Sequence, residues 1–259
     1  MIPKKIHYCW FGKNPLPELA QNCIASWKKF CPDYEIIEWN EENFDLSSNK
    51  YVQEAYEAKK WAFVSDYVRL YALVNHGGVY MDTDVELLKP IDRFLEHKAF
   101  SGFEVADRIP TGIMACEKEH PLFTELLHDY DNRRFLLDNG EYDTTTNVTT
   151  ITNICLEHGL LLNNQTQTVC GFTLYPNDYF CPKDAITKDI HLTENSYCIH
   201  HFDGSWYTPE QRHFSNLRNK FRKVLPFRLA GYLAKSLAAL KFRGFSGLFA
   251  EFRQFFSHD

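Results

Sequence analysis

The chain has 259 residues, 44% of them hydrophobic and 15% aromatic, with a formal net charge of -6. That composition buries a full core and excludes a largely disordered chain, so one large domain, or a domain with an appendage, is expected. No apolar run approaches the roughly 20 residues that span a bilayer. Met1-Ile2-Pro3-Lys4-Lys5 runs into a strand-like segment rather than a signal peptide's apolar core, which points to a cytoplasmic location.

The opening Lys5 to Gly12 is strand-like and closed by glycine, and Pro15-Leu16-Pro17 interrupts it before a helical stretch to Phe30. Pro32-Asp33 ends that helix, and Tyr34 to Trp39 alternates polar and apolar as a second strand does. From Lys60 to Asn75, Phe63, Tyr67, Leu70, Tyr71 and Val74 recur at three- and four-residue steps, the pattern of a helix with one buried face. Gly77-Gly78 stops it, and Val79-Tyr80-Met81 follows as a short strand ending at Asp82-Thr83-Asp84. Strands alternating with helices predict an α/β sheet, and ligands bind such sheets at the carboxyl ends of strands. Phe100 to Cys198 reads as mixed short elements without repeats, and Tyr197-Cys198-Ile199 is a strand running into His200-His201-Phe202-Asp203-Gly204-Ser205-Trp206.

In extended chain, side chains at i and i+2 share a side, so Asp82 and Asp84 converge. Two hard carboxylates at a strand end make an incomplete site for Mg²⁺ or Mn²⁺, completed by phosphate oxygens and water. D-x-D is also common on solvated turns. A haloacid-dehalogenase phosphatase carries one too, but wants Thr or Val where Glu86 stands here. Asp66 and Arg69 lie three apart on a helix and can present a carboxylate and a guanidinium together, or form a plain surface ion pair. His200 and His201 point to opposite faces if extended, so at most one reaches a metal. Ser205 and Trp206 offer a hydroxyl and an indole N–H to phosphate, and Trp10 offers a ring to a nucleobase or to the core. Asn147 is left without a firm role.

Eight scattered cysteines with no C-x-x-C pair read as reduced thiols, and the sequons at Asn147 and Asn164 as chance matches.

Ile6 to Gly12, Trp61 to Leu70, Gly77 to Asp84 and His200 to Trp206, taken in order, closely resemble glycosyltransferase family 32. That family holds capsular-polysaccharide sugar transferases and is distantly similar to the glucosylating clostridial toxins. The resemblance spans Met1 to about Trp206. It implies a GT-A type fold, a Rossmann-like mixed sheet flanked by helices. It further implies a divalent metal, a nucleotide-diphospho-sugar donor with UDP favoured, a glycan or lipid-linked glycan acceptor, and retention at the anomeric carbon.

By the same resemblance, Asp82 contacts ribose and metal, Asp84 binds the metal, Asp66 and Arg69 hold the donor sugar, and Trp10 stacks on the base. Ser205 and Trp206 close over the diphosphate. Where the toxins carry a metal-ligating Glu five residues before the loop tryptophan, this chain has His201, a changed ligand. A nucleotide-sugar hydrolase or phosphatase, or a non-catalytic carbohydrate-binding derivative, are the alternatives.

After Pro209 the composition changes, setting residues 1–208 apart as the transferase domain from a basic helical extension, 209–259. The chain beyond His201 carries ten Lys and Arg against four Asp and Glu, about +6, leaving about -12 for the rest. Phe and Leu alternate with these cations, compatible with helices lying on an anionic membrane at the inner face of the cell, or with a packed hairpin. Nucleic acid is disfavoured because the acidic body repels it.

Overall fold

The computed structural model describes residues 1–104, 108–204 and 207–256, in two compact units, Met1–Phe202 and Asp203–Asp259. The first unit is built on a seven-stranded mixed sheet, β1 (Lys5–Cys9), β2 (Glu35–Trp39), β3 (Gly78–Met81), β5 (Ala99–Gly102), β6 (Ile113–Cys116), β7 (Gln167–Val169) and β8 (Phe172–Tyr175). Its spatial order is β2-β1-β3-β6-β5-β8-β7, and β4 (Val85–Leu87) pairs with β9 (Cys198–His200) as a separate two-stranded sheet. This is the mixed, helix-flanked sheet expected from the sequence.

Helices α1 (Glu18–Phe30), α2 (Lys50–Glu57), α3 (Trp61–His76), α4 (Pro121–His128), α5 (Asn147–Glu157) and α6 (Asn177–Phe180) surround these strands. Two buried clusters build the core. One joins α2, α3, α4 and α5 through residues such as Tyr51, Val68, Leu73, Phe123 and Ile151. The other joins α1 to β4 and the first strands through Trp27, Val79, Val85 and Phe94.

The α3–β3 junction is tight. Gly77 and Gly78 take positive φ, and a Cβ on Gly78 would stand 2.8 Å from the Lys5 carbonyl oxygen. Glycine therefore fits where a larger residue would push β1 and β3 apart. β1 and β3 run parallel with His7 opposite Tyr80, so Trp10 and Asp82 both follow the carboxyl ends of neighbouring strands. The buried His7 ring is fully satisfied: Nε2 donates to the Gly77 carbonyl at 2.8 Å, and Trp39 Nε1 donates to Nδ1 at 3.1 Å.

The second unit holds α7 (Pro209–Phe221) and α8 (Phe227–Phe256), packed against each other. Thr208 and Gln211 form a reciprocal cap with Pro209 at the first turn of α7. α8 is broken at Gly244, whose φ is 68°.

Candidate functional site

The site forms where β3 ends. Asp82 N donates to the Gly112 carbonyl at 2.8 Å, extending the β3–β6 ladder to the first aspartate. Tyr80, two residues earlier on the same side of the strand, donates its hydroxyl to Asp82 Oδ1 at 2.9 Å. α1 supports the following strand from behind, with Trp27 Nε1 donating to the Val85 carbonyl at 2.7 Å and Leu87 N donating to Ser26 Oγ at 2.9 Å.

Asp66 and Arg69 are not a surface pair. Both are buried, at 8% and 5% exposure, because the face of α3 that carries them packs toward β3 and β6 rather than toward solvent. Arg69 Nη2 lies 3.2 Å from Asp66 Oδ1 and 3.3 Å from Asp82 Oδ1, and Nη1 donates to the Thr111 carbonyl at 3.2 Å. The guanidinium also sits over the Tyr80 ring, 4.8 Å from its centroid.

Asp66 accepts from Asn147 N at 3.3 Å, and its backbone carbonyl accepts from Asn147 Nδ2 at 2.6 Å. Asn147 Oδ1 in turn accepts from Tyr130 at 2.6 Å. Burial pushes the Asp66 carboxyl up from the usual carboxylate range, against the pull of Arg69 and the Asn147 N–H. Burial also works against the charge on Arg69, but the facing Asp82 and Asp66 outweigh it and raise its pKa.

Asp82, Asp84 and His200 form a compact donor group, one ligand atom from each lying within 4.8 Å of the others. Two ligand atoms across an ion at about 2.1 Å stand at most about 4.2 Å apart, so a small convergence completes the set. His200 Nε2 is 3.3 Å from Asp84 Oδ1, while its buried Nδ1 has no hydrogen-bond partner, and the Cys181 thiol is the ring's other polar neighbour. The ring therefore turns Nε2 toward the carboxylates, as a metal-ligating imidazole would, and Nδ1 toward Gly112 and Cys181. Two carboxylates and an imidazole suit Mn²⁺ or Mg²⁺. Burial alone would lower the His200 pKa, but the Asp84 carboxylate outweighs it and holds the ring well above its ordinary value.

The histidine in this group is His200 and not His201, the ligand expected from the sequence. β9 sets Val85 opposite His200, and His201 N donates to the Asp84 carbonyl at 2.9 Å. The His201 ring turns to the other side, where Nε2 meets Glu86 Oε2 at 2.9 Å and Nδ1 meets Lys183 Nζ at 3.4 Å. Strand alternation allows only one of two adjacent histidines on the side of the two aspartates. Register chose the first. Gly112 makes room for it, since a Cβ there would stand 2.7 Å from His200 Nδ1.

Trp10 is half-buried and its Nε1 donates to the Asn14 carbonyl at 2.6 Å. The neighbouring Gly12 N donates to Glu41 Oε1 at 2.7 Å, where Tyr56 also donates at 3.0 Å. These bonds pin the loop after β1. Ser205 and Trp206, expected to close over a diphosphate, lie outside the described residues.

The sequence weighs His200 beside His201 and favours the second; Tyr80 and Gly112 it does not single out, and of these only Tyr80 leaves a signal, by standing two residues before Asp82.

Residues 17–101 match the family model described as glycosyltransferase sugar-binding region containing DXD motif. Inositol phosphoceramide mannosyltransferase 3 of Schizosaccharomyces pombe is 27% identical over 132 residues, 49% of this chain and 37% of its own length. Mannosyl phosphorylinositol ceramide synthase SUR1 of Saccharomyces cerevisiae is 26% identical over 143 residues, 52% of this chain and 37% of its own length. The chain thus spans less than half the length of these relatives. Among solved structures, the PaToxG glycosyltransferase overlaps 49% of this chain and 59% of its own at a TM-score of 0.40 and 18% identity. The galactosyltransferase LgtC overlaps 68% and 74% at a TM-score of 0.37 and 11% identity. Over residues 17–101, about a third of its length, the chain is thus similar to the DXD-containing sugar-binding region of glycosyltransferases.

Proposed function

We propose that this protein is a metal-dependent, retaining hexosyltransferase that moves a hexose from a nucleotide-diphospho-sugar, with UDP-sugars first among the candidates, to a glycan or lipid-linked glycan in capsular or other surface polysaccharide synthesis. The observation that supports it most is the meeting of Asp82, Asp84 and His200 in one donor group directly beside the buried Arg69–Asp66 pair. Eight free thiols, seven of them buried, suit a cytoplasmic setting, where thiols stay reduced.

Transfer breaks the bond from the anomeric carbon to the phosphate oxygen, so positive charge grows on the sugar ring and negative charge on the departing diphosphate. Asp82, Asp84 and His200 would hold the Mn²⁺ or Mg²⁺, whose chemistry is to neutralise that diphosphate. Arg69 fixes the Asp82 carboxylate and brings a positive charge to the same strand end. Asp66, bridged by Asn147, is the candidate for the sugar hydroxyls, and Trp10 for the base. Retention is proposed through front-face displacement, in which the leaving phosphate oxygen takes the acceptor hydroxyl's proton as the new glycosidic bond forms. That route needs no protein nucleophile.

The test is binding and slow hydrolysis across UDP-glucose, UDP-galactose, UDP-N-acetylglucosamine and GDP-mannose with Mn²⁺, comparing wild type with Asp84→Ala. One donor hydrolysed only with metal and only by wild type is the expected result. Folded, metal-loaded protein that binds no nucleotide sugar overturns the proposal.

A further inference from the structure

The second unit carries a surface that the transfer chemistry does not use. Phe227, Leu229, Leu233, Leu237 and Phe242 on the first part of α8 are exposed, and beyond the break at Gly244, Phe245 and Phe249 are 72% and 63% exposed. Leu229, Leu233 and Leu237 recur every four residues, forming one stripe. Exposed Lys223, Arg228 and Lys241 stand among them, whereas Lys235 and Arg243 are tied to the buried Glu251 at 2.6 and 2.7 Å. Within this unit a cleft of about 330 Å³ is lined by Tyr207, Arg212, His213, Lys241 and Phe242 among others, so two cations and an imidazole share it with aromatic rings.

A run of large exposed apolar side chains is costly in water and marks a contact surface. Its partner is indicated by charge: residues 203–259 hold ten Lys and Arg against four Asp and Glu. We infer that α7 and α8 seat the protein on an anionic lipid bilayer, with the α8 phenylalanines and leucines entering the headgroup boundary and the Arg212–Lys241 cleft taking a lipid phosphate. Among the described residues no helix is long and apolar enough to cross a membrane, so the attachment is to the surface.

Full-length protein is sedimented with phosphatidylcholine vesicles, with and without phosphatidylglycerol. Such binding needs no donor or metal, so its outcome is independent of the transfer reaction. Expected are binding to the anionic vesicles alone, weakening with salt, and loss in Phe245→Ser/Phe249→Ser. Arg228→Gln/Lys241→Gln should weaken binding roughly 25-fold, about five-fold per charge. Circular dichroism matching wild type keeps both variants interpretable. Equal binding to neutral and anionic vesicles, variants that bind as wild type, or a protein that ignores vesicles while forming a dimer the phenylalanine variant abolishes, would each overturn the inference.

Discussion

Arg69 Nη2 bridges Asp66 Oδ1 at 3.2 Å and Asp82 Oδ1 at 3.3 Å, so one buried guanidinium ties the helix before the glycine turn to the first aspartate after it. Two carboxylates so close to one another repel unless a cation stands between them. The helix and the strand end that carries Asp82 are therefore positioned as one piece.

Removing that cation leaves the buried Asp66 carboxylate uncompensated and takes the countercharge from the partly exposed Asp82. Arg69→Ala is expected to lower the unfolding free energy by roughly 3–5 kcal/mol in urea denaturation. Asp66→Asn combined with it should cost less than the sum of the two single changes, because the residues share one network. A loss below about 1 kcal/mol for Arg69→Ala would mean the pair is not buried as found here.

The two adjacent histidines should separate cleanly by metal affinity. His200→Ala is expected to weaken Mn²⁺ binding, followed by calorimetry, at least the roughly 10- to 100-fold that follows loss of supporting groups around a metal. His201→Ala should change it little, since that ring faces Glu86 and Lys183. The reverse order would place the wrong histidine in the donor group.

Gly112→Ala tests the space around the His200 ring. The added methyl would stand 2.7 Å from Nδ1 and 2.8 Å from Cε1 of the ring, so the imidazole has to shift. A stability loss of about 1–3 kcal/mol, with weaker Mn²⁺ binding, is the expected pair of results. Unchanged metal affinity would show that the ring position does not matter to the site.

Acid should unfold the protein partly through His7. Burial lowers its pKa from 6.5 to about 4, and its ring is neutral in the fold, donating to Gly77 and accepting from Trp39. Below pH 6.5 the unfolded chain takes up a proton that the folded state refuses. The contribution is thus complete above that pH and is lost as pH falls toward 4, reaching roughly 3 kcal/mol. Urea melts of wild type and His7→Gln between pH 7 and pH 4 should converge as pH falls, and parallel curves would assign the acid sensitivity to other groups.

Much of the arrangement was readable in the chain. The Lys60–Asn75 periodicity marked α3 to within one residue at each end, because an amphipathic helix advertises its buried face. Gly77-Gly78 before a short apolar run marked the turn into β3, and Asp82-Thr83-Asp84 marked the strand end where a site forms. The polar face of α3 was harder. Asp66 and Arg69 looked solvent-facing by pattern, yet they are buried, since a pair that satisfies its own charges can enter a core that isolated charges cannot.

The amino-acid order by itself determined the local elements, the place of Asp82 and Asp84 just past a strand end, and the rule that only one of two adjacent histidines can face them, because each follows from short-range periodicity. The aspartates themselves meet across a turn, closed by Val85 N donating to the Asp82 carbonyl at 3.0 Å, and not along extended chain. Only the tertiary structure decided that His200 is the one, that Arg69 joins Asp66 to Asp82, and that Gly112 leaves room for the ring. These depend on the register of β4 against β9 and on contacts between segments up to 118 positions apart in the chain, from Asp82 to His200, which no local pattern encodes.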